Sequence, residues 1–371
     1  MPAERQEERV KIVYYSFGGR YSDNPRALHQ RLLERGTVDA EHVWLAGPQH
    51  AGSFPAGTTT VAVDTPEAVA ALESADLVVA DNHLPVWDKR PGTTYVQTWH
   101  GTPLKRIHRD ALFTEPDSAD LMAVLDEDIT RWDLLLAPSE AAAVALRGAF
   151  RFAGSVPVTG YPRNDALQAC DTVERRARVR AELGIEEEQT AVLYAPTWRD
   201  DDRFGGGAGF SLALDPDSFE RRLGADHVLL LRLHHLVPQA VRGTGVSGVL
   251  DVSAHPDIND LYLAADVLVS DYSSAMFDFA VTGKPIVSFV YDLARYRDVL
   301  RGFYFDPHEI AAGPVLETCE EVLDALADLD GVRTAFKDRY ELFQERFCHA
   351  EDGHAADRVL ELVLPRAEVR A

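Results

Sequence analysis

Short β-branched runs alternate with amphipathic helical stretches, and the alternation runs twice along the chain. No other feature limits the fold as much, because strand–helix–strand repeats favour a parallel sheet covered by helices. "KIVYYSF" (11–17) ends at Gly18-Gly19 and is followed by "NPRALHQRLLER" (24–35). The latter reads as a helix capped by Asn24, with Pro25 in its first turn and Gly36 at its end. "EHVWLA", "TTVAV", "DLVVAD" and "TYVQTW" follow as strands, with the helical "PEAVAALESA" between two of them. "WDLLLAPS" and "SVPVTGYP" read as two more strands around the helix "SEAAAVALRGAF". The pattern then restarts: "ERRARVRAELGI" is a helix stopped by Gly184, "AVLYAPTW" and "HVLLLRLHH" are strands, and "DLYLAAD" is a short helix. "VLVSDYSS" is a strand entering a turn, "AMFDFAVTG" a helix closed by Gly283, and "IVSFVYD" a strand. Two amphipathic helices are expected near 320–329 and 355–364.

A chain of 371 residues is too long for one ordinary core. The expectation is an α/β protein of two Rossmann-like domains, 1–168 and 169–350, with a C-terminal helix in 351–371 packing back on the first. Open parallel sheets bind ligands beyond the carboxyl ends of their strands, so the default site is a cleft between the domains. The Gly-rich "DDDRFGGGAGF" (200–210) reads as a mobile loop.

Charge removes several function classes. The formal net charge of −23 argues against a nucleic-acid partner, which needs a basic surface. It also disfavours broad docking on anionic lipid. One local exception is the basic run Lys105, Arg106, His108 and Arg109. No apolar run reaches the roughly 18–20 residues that a membrane helix needs. The charged start "MPAERQEERVK" lacks the apolar core of a signal peptide, so a cytoplasmic location is expected. Three scattered cysteines show neither disulfide nor zinc spacing, and no metal site is expected.

Five stretches carry residues suited to chemistry. In "VLVSDYSSAMFDFAVTGKP" (267–285) a buried strand ends at Ser270-Asp271, and Ser273 and Ser274 sit where a helix begins. Backbone N–H groups there attract phosphate and hydroxyls add donors, although serines also cap helices routinely. In "LLLRLHHLV" (229–237) strand alternation puts Arg232 and His234 on one face, an arrangement that suits an anion; a structural histidine is the other reading. "YAPTWRDD" (194–201) offers Thr197 and Arg199 at a strand's carboxyl end, or simply a turn with an ion pair. "GYPRNDAL" (160–167) reads as a turn in which Asn164 or Asp165 caps a helix.

In "TYVQTWHGTPLKRIHRD" (94–110) His100 follows a strand. Its ordinary pKa near 6.5 suits proton transfer. Gly101 allows close backbone approach, and Thr102-Pro103 reads as a helix start. Taken alone, His100 is equally a residue that orders a tight turn.

Together, "QTWHGTPLKR", "GYPRND", "YAPTWRDD", "LRLHHLV", "DINDLYLAADVLVSDYSSAMFDFAVTGKPIVSF", "GFYFD…GPV" and "FCHAEDGHAADRVLELV" resemble, in content and order, the CDP-glycerol glycerophosphotransferase family of teichoic-acid primases and polymerases. The likeness runs from about residue 94 to the C-terminus. It implies a GT-B-like fold and transfer of a polyol phosphate from a CDP-activated donor to a hydroxyl, releasing CMP. By analogy His100 takes the acceptor's proton, while His234 contacts the donor phosphates and stabilises or protonates the leaving group. Arg232 reinforces that charge, Ser273 and Ser274 hold the diphosphate, and Thr197, Arg199 and Asp271 are lesser contacts. Gly101, Thr102, Lys105 and Arg106 fall on the acceptor or membrane side. No metal or cofactor is implied.

The implied partners are CDP-glycerol or CDP-ribitol, and a lipid-linked or polymeric cell-wall or capsular glycan at the inner face of the cell membrane. The competing expectations are a ribitolphosphotransferase and a nucleotide-sugar glycosyltransferase of the same fold.

Overall fold

The computed structural model describes residues 9–36, 38–111, 118–197, 212–233 and 245–364. The Gly-rich loop, Arg199 and His234 lie outside them. The chain forms two compact units. The first gathers residues 1–100, 115–165 and 350–371; the second gathers 101–114 and 166–349.

In the first unit six parallel strands stand in the order β3-β2-β1-β4-β5-β6. They are β1 Val10–Tyr15, β2 Ala40–Ala46, β3 Thr59–Ala62, β4 Leu77–Ala80, β5 Thr94–Gln97 and β6 Leu134–Leu135. The second unit repeats the pattern as β12-β11-β10-β7-β8-β9. Its strands are β7 Thr190–Ala195, β8 His227–Leu231, β9 Val249–Asp251, β10 Val267–Ser270, β11 Ile286–Phe289 and β12 Val315–Leu316. Counted from its own first strand, each sheet has the 3-2-1-4-5-6 order of a Rossmann sheet. The strand direction reverses its walk across the sheet between β1 and β4, and again between β7 and β10. Loops leaving those pairs open a crevice at the carboxyl edge, where this fold binds ligands.

Both sheets are buried on two faces, which is why their strands read as near-continuous apolar runs. In the first unit Ile12, Tyr14, Trp44, Val79 and Val96 pack against Leu28 and Leu32 of the helix Asp23–Arg35, and against Ala356, Val359 and Leu360 of the helix Ala355–Val363. Arg31 and Arg35 both clasp Asp357 of that last helix. Their hydrogen bonds, Arg31's foremost, hold its carboxyl down at about 2. The second core joins Tyr194, Leu229, Leu231, Val269 and Phe289 to Phe219, Val322 and Leu326.

Several local expectations change. Asn24 does not cap the helix Asp23–Arg35; the N-cap is Ser22, without a side-chain bond, while Gly36 ends the helix at φ 57°. Asn24 is fully buried and used elsewhere, as described below. "SVPVTGYP" forms only two isolated parallel bridges, Ser155 to Leu134 and Val158 to Ala137. The 19-residue helix Leu329–Phe347 was not expected. Val332, Phe336, Tyr340, Phe343 and Phe347 recur along one face of it at helical spacing, but charged residues crowd the positions between them and only Phe343 and Phe347 are buried, so its apolar content is low although its period is helical. The neighbouring helix Cys319–Ala327 begins with a full capping box between Thr318 and Glu321.

Candidate active site

His100 lies just beyond β5, in the first unit. Its Nδ1 is 2.7 Å from the main-chain carbonyl oxygen of Asp81, the residue that follows β4. A carbonyl only accepts, so Nδ1 carries the proton and donates it. The neutral ring then keeps its lone pair on Nε2, which is the tautomer a general base needs. Burial of the ring is the main cause that lowers its pKa from 6.5 to about 4; the Asp81 carbonyl and Asp23 oppose the shift only in part. At neutral pH the ring is uncharged.

The ring's placement is over-determined. The Trp99 ring stacks on it at 4.1 Å and Phe17 sits 4.9 Å away. Trp99 itself adopts φ 52°, a left-handed conformation that a bulky residue rarely holds. Four hydrogen bonds keep it there. Gln97 Oε1 accepts from the Trp99 N–H, Thr98 Oγ1 and Asn24 Nδ2 donate to the Trp99 carbonyl, and Gln97 Nε2 donates to Asn82. Asn24 Oδ1 accepts from the Arg163 N–H, so one buried amide joins His100's neighbour to the "GYPRND" motif.

Charges collect under this site. Arg163 Nη1 holds both carboxylate oxygens of Asp23 at 2.8 and 2.9 Å. Asp81 is buried and accepts from the Ser16 hydroxyl and the Phe17 N–H. Its pKa is pushed well up, first by burial and then by Asp23. Thus β4, which supplies the carbonyl that orients His100, is tied through Asp81 to the loop after β1. Asn24, Gln97, Asp81, Phe17 and the Asp23–Arg163 pair all escaped sequence reasoning. The available signals were the aspartate ending "DLVVAD" and the unassigned Arg163 of "GYPRND".

That motif has a second use. The Asp165 carboxylate accepts from the N–H groups of Ala355 and Ala356, at 2.9 and 2.8 Å. Asp165 therefore caps a helix, but one 190 residues further along the chain. Glu351 accepts from the Tyr161 N–H and Arg358 donates to the Thr159 carbonyl.

In the second unit Asp271 follows β10 and Thr197 follows β7, the pair at that sheet's reversal point. Asp271 Oδ1 accepts from the N–H groups of Thr197 and Tyr272. It braces two loops by these bonds. Ser273 and Ser274 precede the helix Ala275–Ala280. Ser273 Oγ accepts from the Ala275 N–H, whereas the Ser274 side chain makes no capping bond. Arg232 Nη1 donates to the carbonyls of Val252, Ser253 and His255. These bonds make Arg232 a brace for the loop after β9, a use that the alternation pattern could not reveal.

Gly101, Thr102, Lys105 and Arg106 belong to the second unit, apart from His100. Gly101 and Thr102 are buried, Lys105 is half-buried and Arg106 is exposed. Thr102-Pro103 starts no helix; the next few residues form a bridge with Phe303.

Residues 2–365 match the family model described as CDP-Glycerol:Poly(glycerophosphate) glycerophosphotransferase. The chain belongs to that family. It is 35% identical over 361 residues to the teichoic acid glycerol-phosphate transferase of Staphylococcus aureus, covering 95% of this chain and 92% of that protein. It is 33% identical over 366 residues to the teichoic acid poly(glycerol phosphate) polymerase of Bacillus spizizenii, covering 95% and 91%. Against the polymerase of that name from Bacillus subtilis it is 32% identical, but spans half of that protein's length.

The solved wall teichoic acid polymerase TagF superposes with a TM-score of 0.86 at 31% identity, covering 95% of this chain and 88% of that one. A UDP-GlcNAc 2-epimerase from Neisseria meningitidis, at 13% identity and a TM-score of 0.57, shares the fold alone. The expected GT-B-like α/β class and the expected family both hold. The chain is an enzyme of the glycerophosphotransferase type, with teichoic acid polymerases and transferases as its relatives.

Asn24→Ala is expected to remove the bond that the Arg163 N–H donates to Asn24 and one of the two bonds that the Trp99 carbonyl accepts. That costs about 2 kcal/mol of stability and releases the backbone that aims His100. Turnover should fall roughly 10-fold with an unchanged donor KM, read from steady-state kinetics beside a denaturant titration.

Proposed function

We propose that this chain transfers glycerol phosphate from CDP-glycerol to a hydroxyl of a teichoic-acid-type polymer or its lipid-linked primer, at the inner face of the cell membrane. In the step, the acceptor oxygen forms a bond to the phosphorus that carries glycerol. The bond from that phosphorus to the bridging oxygen breaks, and CMP leaves with the electron pair. His100 Nε2 takes the acceptor's proton. His234 stabilises or protonates the departing CMP phosphate, and Ser273, Ser274 and the N–H groups of their helix hold the diphosphate.

The observation that carries this reading is the bond from His100 Nδ1 to the Asp81 carbonyl, which leaves the base nitrogen unprotonated. A pKa near 4 makes the free ring a weak base. An anionic diphosphate arriving nearby raises it toward the working pH. The uncommitted hydroxyl of Ser274 supports the donor half. In this reading residues 1–168 serve the acceptor and 169–350 the donor, Thr197, Asp271 and Arg232 shape the donor loops, and Arg199 is a lesser donor contact.

Glycerol is favoured over ribitol because the glycerol-phosphate relatives match over 95% of the chain. A poly(ribitol-phosphate) polymerase of Bacillus spizizenii matches over 58% at 28% identity. The test is CMP release with CDP-glycerol, CDP-ribitol and a UDP-sugar, each beside a polyol-phosphate acceptor. CMP release from CDP-glycerol at least about tenfold faster than from CDP-ribitol is expected. Equal rates, or reaction only with the UDP-sugar, would overturn the donor assignment.

A further inference from the structure

A second histidine stands on the loop that orients His100. His83 lies on the loop after β4, and its two predecessors there already serve the base. The Asp81 carbonyl accepts from His100 Nδ1, and the Asn82 carbonyl accepts from Gln97, whose Oε1 accepts from the Trp99 N–H. The His83 N–H donates to Asn82 Oδ1, which fixes its main chain. Its side chain is fixed by Asp128, on the helix Ser118–Ile129. A carboxylate only accepts, so His83 Nδ1 donates to Asp128 Oδ2, 3.1 Å away. Asp128 is 1% exposed. The same oxygen accepts from Trp132 Nε1 at 3.0 Å and, at 3.4 Å each, from the Tyr95 hydroxyl and the Leu84 N–H. Bonds that converge on a buried carboxylate hold it, and the ring that donates to it, in one orientation.

The half-buried His83 ring then packs toward the base. One face lies on Trp132, with centroids 5.5 Å apart and planes at 27°. Phe150 meets it edge-on at 6.2 Å and Trp99 at 6.4 Å. Phe150 also closes on Trp99 at 4.7 Å, and Trp99 stacks on His100 at 4.1 Å. These separations are those of attractive aromatic pairs. Asp128, His83, Trp99 and His100 thus form a continuous line within the first unit, from a buried carboxylate to the base.

We propose that His83 is a positioning residue for the transfer reaction: anchored by Asp128, it fixes the Trp99 ring on which the His100 imidazole is stacked. The inference rests on the reading of His100 as the base. Trp99 holds a left-handed φ of 52°, which its neighbours must over-determine. The four hydrogen bonds around it fix the main chain, but the indole still turns about its own torsions and needs separate support. A shift of roughly 1 Å at a reacting group costs up to about 100-fold in rate, so loosening the indole is enough to slow the reaction. His83 also acts on the base by charge. Burial is the main cause that keeps the His100 ring neutral. Among the groups facing it, the Asp81 carbonyl and Asp23 favour the protonated ring, while Arg163 and His83 favour the neutral one.

The test compares His83→Ala and His83→Phe in the full chain. His83→Ala removes the ring and should lower kcat roughly 10-fold while the donor KM stays within about twofold. His83→Phe keeps a ring between Trp132 and Trp99 and leaves Asp128 its three other donors, so kcat should recover to within about threefold of wild type. The acid limb of its kcat/KM profile should nonetheless move upward, because a charge that opposes protonation of His100 is gone. A merely structural residue would produce neither the kcat-only loss nor the shifted limb. NMR of the His100 ring, assigned by loss of its signals in His100→Ala, gives a readout that needs no donor. Those signals should shift in His83→Ala, because the ring current of Trp99 no longer falls on them in the same way. Unmoved His100 signals in His83→Ala, or a loss confined to KM, would overturn the proposal. Normal turnover in His100→Ala would instead overturn the base reading, while the signal shifts would still decide whether His83 places the ring.

Discussion

His100→Ala is expected to lower CMP release at least about 100-fold, the usual scale for losing an acid–base group, with the Tm nearly unchanged. The half-buried ring makes its polar bond to one carbonyl and is flanked by Trp99 and Phe17, so its removal leaves the sheet's core intact. The pH profile separates a base from a packing residue. With a folded pKa of about 4, the base form is already complete at pH 7. The acid limb of kcat/KM should therefore lie well below 6.5, moving up only for kcat once the anionic donor is bound. Stability runs the same way. Between pH 4 and 6.5 the unfolded chain binds a proton that folded His100 refuses, so stability falls as pH drops through that window. His100→Ala should remove that part of the slope. A variant that keeps near-normal turnover would take His100 out of the mechanism.

Gly160→Ala is expected to destabilise the first unit strongly. Gly160 sits at φ +74°, and a Cβ there would lie 2.4 Å from the Ala350 carbonyl oxygen and 3.1 Å from the Ala355 Cβ. The backbone cannot relax without lifting the C-terminal segment, which is pinned by Glu351 on Tyr161, Asp165 on Ala355 and Ala356, and Arg358 on Thr159. Strain and lost contact together should cost about 3 kcal/mol, a Tm drop of roughly 6–12 °C for a unit of this size. Thermal denaturation checks it. A drop under about 2 °C would show that the contact at Ala350 yields easily.

The order of elements was readable because each sheet is built from consecutive apolar strands, and helices with clear stripes or glycine stops stand between most of them. The helix Thr172–Leu183 ends at Gly184 and the helix Asp23–Arg35 at Gly36, as their glycines require. The helix Leu329–Phe347 was missed although Val332, Phe336, Tyr340, Phe343 and Phe347 mark one face of it, because charged residues fill most of the other positions. Asn24 looked like a cap because residue type and position both suited one. Burial against Trp99 and Arg163 outweighed that local preference.

The sequence by itself determined the α/β class, the family and the candidate base. Strand periodicity, helix stops and the ordered motifs are all written in neighbouring residues. Only the tertiary structure decided which nitrogen of His100 carries the proton, which helix Asp165 caps and what Arg232 braces. It alone brought Lys105 beside Phe303. Each of these depends on a partner about 20 to nearly 200 residues distant. Chain folding, not local pattern, chooses such partners, because buried polar groups must find a hydrogen-bond mate wherever the packed core puts one.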